Sequence, residues 1–362
     1  AIFTPPGSRR ERDYRHYPIN PGRQMKKTLL VASIFVSAAL AGITTMNTLA
    51  QNAPQATGPY LAQETPGDTA VLFAPGIIST GMMDRDVSMS PDGKEMYFGR
   101  MAGGAVVIYF SKMKDDGSWT DPEVVRFSGH KDYFDFEPHV SPDGNRLLFL
   151  STRPKEGQDV VTGWGNQNIW VSERTMDGSW GKPHDIGVPI NSDDDEFFPT
   201  TTRDGTLYFT RMLKADRSAA VYRSKLLDGQ YSEPEKLPDH VNSVKTLYNA
   251  FVSPDEDYLI ACVPGKEGNI GAPHYYIAFR HAADKWTELI NLGAKVNTES
   301  DRASSPYVSP DGKYFFFGSS RKVDEAKTDR FNLQYLAEAS GKPGYGSTDT
   351  WWIDAGFIEA LR

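Results

Sequence analysis

The sequence predicts an all-β protein: a five-bladed β-propeller of four-stranded antiparallel blades, closed by an N-terminal strand in the last blade. Three observations lead to this fold. A four-residue turn phrase occurs five times, a second recurring segment follows it in each repeat, and the last repeat lacks its final strand. A period of roughly fifty to sixty residues is typical of stacked supersecondary units that cannot bury their apolar faces alone.

The turn phrase has the composition of a tight connection between two strands. It reads Ser90-Pro91-Asp92-Gly93, and its other copies begin at Ser141, Thr202, Ser253 and Ser309. Ser and Asp bond the local backbone, Pro presets φ, and Gly accepts the positive φ that closes the turn. Copy three has Arg203 in place of Pro and copy four has Glu256 in place of Gly, so we expect these two turns to differ in geometry.

The second recurring segment predicts the third strand of each unit. It covers residues 107–110, 168–171, 220–223, 275–278 and 350–353. Four copies lead into a further turn and an aromatic residue, as in Asp177-Gly178-Ser179-Trp180. With the apolar run after each turn phrase, every unit has about four short strands, which is the blade of a propeller.

The last unit ends before its fourth strand. Residues 355–362 predict a short terminal helix instead, whereas residues 71–78 precede the first turn phrase as the fourth strands precede the later ones. Pairing this N-terminal strand with the last blade removes the open sheet edges.

These repeats carry a family resemblance. The Ser-Pro-Asp-Gly turns, together with third strands such as Ile169-Trp170-Val171, resemble the WD-like propeller repeats of the TolB C-terminal domain and its periplasmic relatives. The resemblance covers roughly residues 71–354 and implies the fold. It implies no single activity, because that family includes protein-binding modules, sensor and scaffold domains, and some polysaccharide lyases.

The N-terminal region predicts export. Met25-Lys26-Lys27, an apolar run over residues 29–41 and small residues before Gln51 are typical of a signal peptide over residues 25–50. Residues 1–24 are expected to be an upstream read-through segment, residues 51–68 a flexible lead-in, and residues 69–362 the propeller domain. The expected location is the periplasm or the extracellular space, with no membrane span after cleavage.

The net negative charge of the chain limits the kinds of molecule that it is expected to bind. Residues 1–50 hold seven basic and two acidic residues, so the remainder has a net charge of −13 where the whole chain has −8. An acidic surface disfavours nucleic acid and anionic membranes, which leaves a protein or a glycan as the expected partner. The single cysteine, Cys262, lies in a predicted strand and is expected to be buried.

The predicted topology gives the propeller two unlike faces. The stereotyped turns join strands one to two and three to four, and they form the turn face. The irregular loops join strands two to three and four to one, and they form the variable-loop face, which includes residues 153–165, 264–273 and 321–347. Variable loops on a rigid scaffold are where binding residues concentrate, so we expect function on the variable-loop face.

Candidate catalytic residues occupy matching positions before the turn phrases. Asp86 and Glu137 stand four positions before the Ser of their phrases, and His139 stands two before. Alternate residues of an innermost strand share one side, so these three are expected to meet at the propeller axis. Facing carboxyls at an axis are what a glycoside hydrolase needs, although propellers also bury such residues in structural hydrogen-bond networks.

Further candidate residues lie in the loops and near the axis. The acidic run contains Asp193, Asp195 and Glu196, which either form a solvated loop or bind calcium, the one cofactor that the sequence suggests. Trp164 and Tyr345 lie in long variable loops, where they either stack on sugar rings or pack their own loops. The candidate binding residues are Asp195, Glu196, Asn249, Tyr307, Arg302, Trp164 and Tyr345.

Two classes of function remain open. The first is an exported binding or scaffold module that recognises a protein or glycan with its variable-loop face. The alternative is a carbohydrate-active hydrolase or lyase with a carboxylate and histidine site at the axis. An open pocket with two facing carboxyls favours the hydrolase, whereas a filled axis favours binding.

Overall fold

The structure, a computed structural model, describes residues 57–269, 272–299, 302–323, 333–345 and 347–362. The predicted upstream segment, residues 1–24, and the predicted signal peptide, residues 25–50, lie outside the described residues. None of the described helices is both long and apolar enough to cross a membrane.

The fold is the predicted five-bladed propeller, in which each blade is a four-stranded antiparallel sheet counted from the axis outward. Blade 1 consists of Met83–Met89, Glu95–Ala102, Ala105–Lys112 and Glu123–Val124, and blade 2 of Asp135–Val140, Arg146–Ser151, Asn168–Glu173 and His184–Asp185. Blade 3 consists of Asp195–Thr201, Leu207–Met212, Ala219–Ser224 and Glu235–Lys236, and blade 4 of Tyr248–Val252, Tyr258–Val263, His274–His281 and Ile290–Asn291. Blade 5 consists of Ser304–Val308, Tyr314–Ser319, Asp349–Asp354 and Val71–Leu72.

Smaller elements decorate the blades. Leu226–Leu227 and Gln230–Tyr231 form a hairpin beside blade 3, and Lys285–Trp286 pairs antiparallel with the end of the third strand of blade 4. Among the described residues, two 3-10 turns span Tyr60–Ala62 and Ala282–Asp284. The described helices are Leu333–Ser340, inside the long loop of blade 5, and Phe357–Ala360, which confirms the predicted terminal helix in a shorter form.

The ring closes as predicted, with a shorter strand than the sequence suggests. Val71 pairs with Trp352 and Leu72 with Trp351, so the N-terminal segment supplies the outer strand of blade 5. The predicted strand over residues 71–78 ends at Leu72, and the chain then turns while Phe73 and Ile78 stay fully buried. Phe73 and Trp352 belong to one apolar cluster that joins blades 4, 5 and 1, as does the buried Cys262.

The repeated turns have the predicted geometry. Gly144 and Gly312 have φ values of 75° and 73°. In the first copy the Ser90 hydroxyl donates to Asp92 Oδ1 at 2.6 Å and accepts from the Glu95 N–H at 2.9 Å, and copy three keeps the Thr–Asp bond despite lacking Pro. The expectation that copies three and four differ in geometry is wrong for the backbone, because Gly205 and Glu256 both take the positive φ, at 85° and 59°, and donate their N–H to the first residue of the phrase. Copy four differs only in its side-chain bond, which joins Ser253 to Asp257.

Candidate functional site

The site begins with a backbone irregularity that recurs in every blade. Each innermost strand shifts register at the same place, four positions before its turn phrase. The residue at that place has a positive φ, between 50° and 62°, in all five blades: Asp86, Glu137, Phe198, Asn249 and Ser305. Such a conformation costs a non-glycine residue roughly 1 kcal/mol or more, so the surrounding contacts must hold it.

The left-handed residues meet at the axis around Arg85, and with it they form what we call the axial ion cluster. Arg85 Nε donates to both carboxylate oxygens of Asp86 at 3.0 Å, and its Nη2 donates to Glu137 Oε1 at 3.2 Å. The Ser305 hydroxyl donates to Asp86 Oδ1, and Asn249 Nδ2 donates to Glu137 Oε1 at 3.3 Å. The Phe198 N–H donates to Glu137 Oε2 at 2.8 Å, so every blade contributes one contact.

The Arg85 guanidinium is hydrogen-bonded to two buried carboxyls, those of Asp86 and Glu137. Burial and the nearby Asp86 charge raise the pKa of Glu137 to about 8, although its hydrogen bonds limit the rise. Burial also raises the pKa of Asp86, opposed by the Arg85 charge and the Ser305 hydroxyl. Burial alone would lower the pKa of Arg85, but the two carboxyls raise it overall, so the guanidinium keeps its charge. The two carboxyls therefore differ in environment, which is a property of acid–base pairs.

His139 lies beside this cluster rather than in it. Its Nε2 accepts the Thr201 backbone N–H at 2.9 Å and lies 2.9 Å from the Thr201 hydroxyl, and it bonds neither carboxyl. Burial, helped by the Arg146 charge, lowers the pKa of His139 to about 3, so the imidazole is neutral. Because Nε2 is an acceptor, the proton of the neutral ring resides on Nδ1.

The axis leaves no room for a substrate between these groups. Asp86, Glu137 and His139 all line one axial cavity of only about 10 Å³, which holds about one water molecule. The Asp86 side chain is 1% exposed and that of Glu137 is 7% exposed. The three predicted catalytic residues are thus neighbours, but the space that they enclose is filled.

An aromatic group covers the cluster on the side of the variable loops. The Phe136 ring lies 5.0 Å from the Arg85 guanidinium carbon. Trp164 meets Phe134 and Phe136 edge-to-face, with ring centroids 5.0 and 6.0 Å apart, and remains 42% exposed. Both predicted roles of Trp164 thus have a structural counterpart: the indole packs against its neighbours and still presents surface to solvent.

The acidic run divides between two environments. Asp193 is exposed, whereas Asp195 and Glu196 begin the innermost strand of blade 3 and are buried, so they are not part of a solvated loop. Glu196 accepts from Arg211 Nε at 2.7 Å, and Asp195 lies 3.5 Å from Arg217. Within the part of the chain that the structure describes, no three His, Cys, Asp or Glu side chains are arranged to hold a metal ion.

The remaining predicted binding residues are dispersed. Tyr307 is buried and its hydroxyl accepts the Met89 N–H at 3.0 Å, on the turn-face side of the axis. Arg302 is exposed in the loop before blade 5. Tyr345 pairs with Lys322 in the long loop of that blade, and the Lys342 ammonium lies 5.7 Å from its ring centroid. The structure does not gather these three into one site.

Sequence reasoning missed two sets of residues near the site. Besides Arg85, an arginine in or just after the end of the second strand binds a carboxylate at the start of the innermost strand in three blades: Arg100 with Asp84, Arg153 with Asp135, and Arg211 with Glu196. In three blades an asparagine side chain also pairs with both backbone groups of a third-strand residue: Asn191 with Ile169, Asn242 with Val221, and Asn297 with Tyr275. A recurring acid six positions before the turn phrase was the signal for the first set.

Several solved structures are similar to this chain. TolB from Acinetobacter baumannii matches with a TM-score of 0.42 and 15% identity, over 75% of this chain and 56% of that one, so this chain spans little more than half its length. A native Bacillus subtilis arabinanase matches with a TM-score of 0.44 and 12% identity, over 76% and 95% of the two chains. A GH62 hydrolase in complex with xylotriose matches with a TM-score of 0.45 and 9% identity, over 79% and 97%. The likeness is one of fold. No protein-family model and no curated protein sequence matches the chain.

Proposed function

We propose that this protein is an exported binding module whose variable-loop face captures a protein partner. The observation that carries the proposal is the distribution of exposed apolar side chains among the described residues. Seven of the eleven large ones lie in loops of the variable-loop face: Met82, Val160, Val161, Trp164, Val188, Val323 and Leu333. Met176 and Leu227 lie on the turn face, and Val71 and Val124 lie on outer strands. Exposed apolar side chains that concentrate on one face are typical of an interaction surface.

Trp164 has the properties of an interface anchor. Its contacts with Phe134 and Phe136 restrict the indole before any partner arrives, so little conformational entropy is lost on binding. Tryptophan is also among the residues that carry most of the energy of protein interfaces. The long loops of blades 2 and 5, which hold Val161 and Val323, would then supply the surrounding contacts.

The filled axis supports binding over catalysis. Arg85 donates hydrogen bonds to the carboxylates of both Asp86 and Glu137, and the cavity beside them holds about one water molecule. Export rests on the sequence of residues 25–50, and it places the partner in the periplasm or outside the cell. N-terminal sequencing of the exported protein is expected to begin at Gln51.

Site-specific photo-crosslinking in cells that make the full precursor tests the proposed face. A crosslinking amino acid at Val161 or Val323 should give the same discrete adduct, and Trp164→Ala should weaken binding of that partner by about tenfold or more. Met176 and Leu227 are the matched exposed apolar controls on the turn face. Adducts that form from the control positions alone, or equally from all four, would contradict the proposal.

A second candidate, a glycoside hydrolase, is favoured by one observation. Asp86 and Glu137 share a guanidinium, and the pKa of Glu137 is about 8, as suits a general acid. For this reaction the axis would have to open. Glu137→Gln should then abolish hydrolysis of a responsive polysaccharide, while Glu267→Gln, an exposed carboxyl in the blade 4 loop, should not. A wild-type protein that cleaves no member of a broad polysaccharide panel would remove this candidate.

A further inference from the structure

A second axial cavity opens on the turn face, opposite the proposed interaction surface. It has a volume of about 80 Å³ and is lined by equivalent residues of several repeats. We call it the turn-face funnel. The last residues of four innermost strands form its wall: Met89, Val140, Val252 and Val308. The second residues of the turn phrases form its rim: Pro91, Pro142, Arg203, Pro254 and Pro310.

The funnel presents no unpaired charge to a ligand. Arg203, the one cation on the rim, donates from Nε to Asp255 Oδ1 at 2.8 Å, and its backbone N–H donates to the Pro254 carbonyl at 2.9 Å. This arginine thus ties the third turn to the fourth. An ionic ligand would enter a largely apolar space without a free counter-charge, which is unfavourable.

A hydrogen-bond donor is available at the inner end of the funnel. His139 lines the cavity beside Phe251 and Tyr307. Its Nε2 is used by Thr201, so the Nδ1–H is the free group of the neutral ring, and it has no protein partner within the described residues. An acceptor group of a molecule in the cavity could take this N–H in place of water.

We propose that the turn-face funnel binds a small neutral molecule with a compact apolar body and one hydrogen-bond acceptor, such as a five-membered lactam or lactone. The apolar wall and the ring of prolines would contact the body, and the acceptor would take the His139 Nδ1–H. The funnel is smaller than the cavity of about 150 Å³ that accepts benzene, so only a compact body that extends into the open mouth would fit. The site goes beyond the proposed function, since it lies on the opposite face and shares no residue with it.

The proposal is tested by titrating the protein, labelled with ¹⁵N in its histidine and tryptophan side chains, with 2-pyrrolidinone. We expect the His139 ring signals to shift with a millimolar Kd while the Trp164 indole signal stays unchanged. Pyrrolidine is the matched probe, because it has the same ring but is a cation without a carbonyl, and it should bind at least tenfold more weakly. Equal binding of the two probes, or no shift at His139, overturns the proposal.

Two variants locate the site independently. His139→Phe removes the donor, but it also leaves the Thr201 N–H unpaired and so endangers folding. Val308→Phe fills the funnel while keeping His139, and it should weaken 2-pyrrolidinone binding at least tenfold in a folded protein. Val124→Phe, at an exposed outer strand, is the control that should bind as the wild type does. Unchanged binding in Val308→Phe would place the probe elsewhere and overturn the assignment.

Discussion

At the scale of single residues, one position in each repeat determines the character of the axis. The left-handed residue of the innermost strand is Asp, Glu, Phe, Asn and Ser in blades 1 to 5, so the repeat fixes the backbone but not the side chain. Four of these side chains are polar, and those of Ser305 and Asn249 bond the carboxyls of other blades. Hydrogen bonds between blades therefore offset the backbone strain of the bulges. The axis stabilises the ring as well as being a candidate site.

Glu137 and His139, at the axis, should give opposite pH dependences of stability. Burial raises the pKa of Glu137 from its usual 4.5 to about 8, so its contribution is complete below pH 4.5 and is lost as the pH rises to 8. Burial lowers the pKa of His139 from its usual 6.5 to about 3, so its contribution is complete above pH 6.5 and is lost as the pH falls to 3. Between pH 4.5 and 6.5 the two effects oppose each other.

Urea unfolding of the wild type, Glu137→Gln and His139→Gln between pH 3 and 8.5 checks this expectation. The free energy difference between wild type and Glu137→Gln should fall from pH 6.5 to 8, by at most about 1.4 kcal/mol per pH unit. The difference between wild type and His139→Gln should fall from pH 4.5 to 3. Glu267→Gln and His281→Gln, at exposed positions away from the axis, are the matched control substitutions. Flat curves for the axial variants would show that neither pKa is shifted.

At the scale of elements, the turns and bulges show what the sequence could and could not predict. The turn phrase is local chemistry, so its hydrogen bonds and the positive φ of Gly312 follow from residue type. The bulge at Asp86 could not be predicted, because an aspartate carries no signal for positive φ in a strand. Arg85 was missed because it has no counterpart in the other repeats, although the two carboxyls that it contacts were predicted to meet.

Copy four shows how a turn tolerates the loss of glycine. Glu256 has a φ of 59°, a cost of roughly 1 kcal/mol or more. Its carboxylate accepts from the Tyr208 hydroxyl at 2.5 Å and pairs with Arg280 at 2.6 Å, contacts that offset the strain. The side chain at the left-handed position thus joins blades 3 and 4, which a glycine could not do.

Alanine substitution at two turn glycines should produce graded destabilisation. An added Cβ at Gly312 meets nothing within 4 Å, so Gly312→Ala should cost only the strain of positive φ, about 1 kcal/mol. At Gly144 the Cβ would also lie 3.3 Å from the Pro91 ring, so the cost should be larger. Gly67→Ala is the control, with open space and no positive φ, and should be neutral or slightly stabilising. Equal unfolding free energies for all three variants would contradict the turn geometry.

At the scale of the whole molecule, the two termini of the domain depend on each other. The outer strand of blade 5 comes from Val71–Leu72, and the Phe73 ring lies 5.0 Å from both Phe316 and Trp352. The sequence predicted this closure because the last repeat has one predicted strand fewer than the other four repeats. It predicted residues 51–68 as a flexible lead-in, whereas Tyr60 lies 5.0 Å from Tyr314 and the Gln63 side chain bonds Leu72 and Ala74. The Pro- and Gly-rich composition of this segment suggested flexibility. The contacts of Tyr60 could not be predicted, because a single tyrosine forms no recurring sequence pattern.

A series of N-terminal truncations should separate closure from the lead-in contacts. A chain that begins at Thr57 should melt as a chain that begins at Gln51 does. A chain that begins at Thr69 loses Tyr60 and Gln63, and should be destabilised by roughly 1 to 3 kcal/mol, a few degrees in Tm. A chain that begins at Gly81 also loses the outer strand of blade 5 and the fully buried Phe73 and Ile78, and should be insoluble or lack a cooperative transition.

Circular dichroism melts and the soluble fraction measure the series, with Phe73→Ala in the full-length chain as a variant that keeps the strand. That substitution opens a cavity among Phe316 and Trp352 and should cost about 3 to 5 kcal/mol, while the protein remains folded. A Gly81 chain that melts at the same temperature as the Thr69 chain would show that blade 5 is stable with three strands, and the ring would then not depend on the N-terminal strand. A Thr69 chain that matches the Thr57 chain would instead assign the stabilisation to residues 69–80, which the Gly81 chain lacks as well.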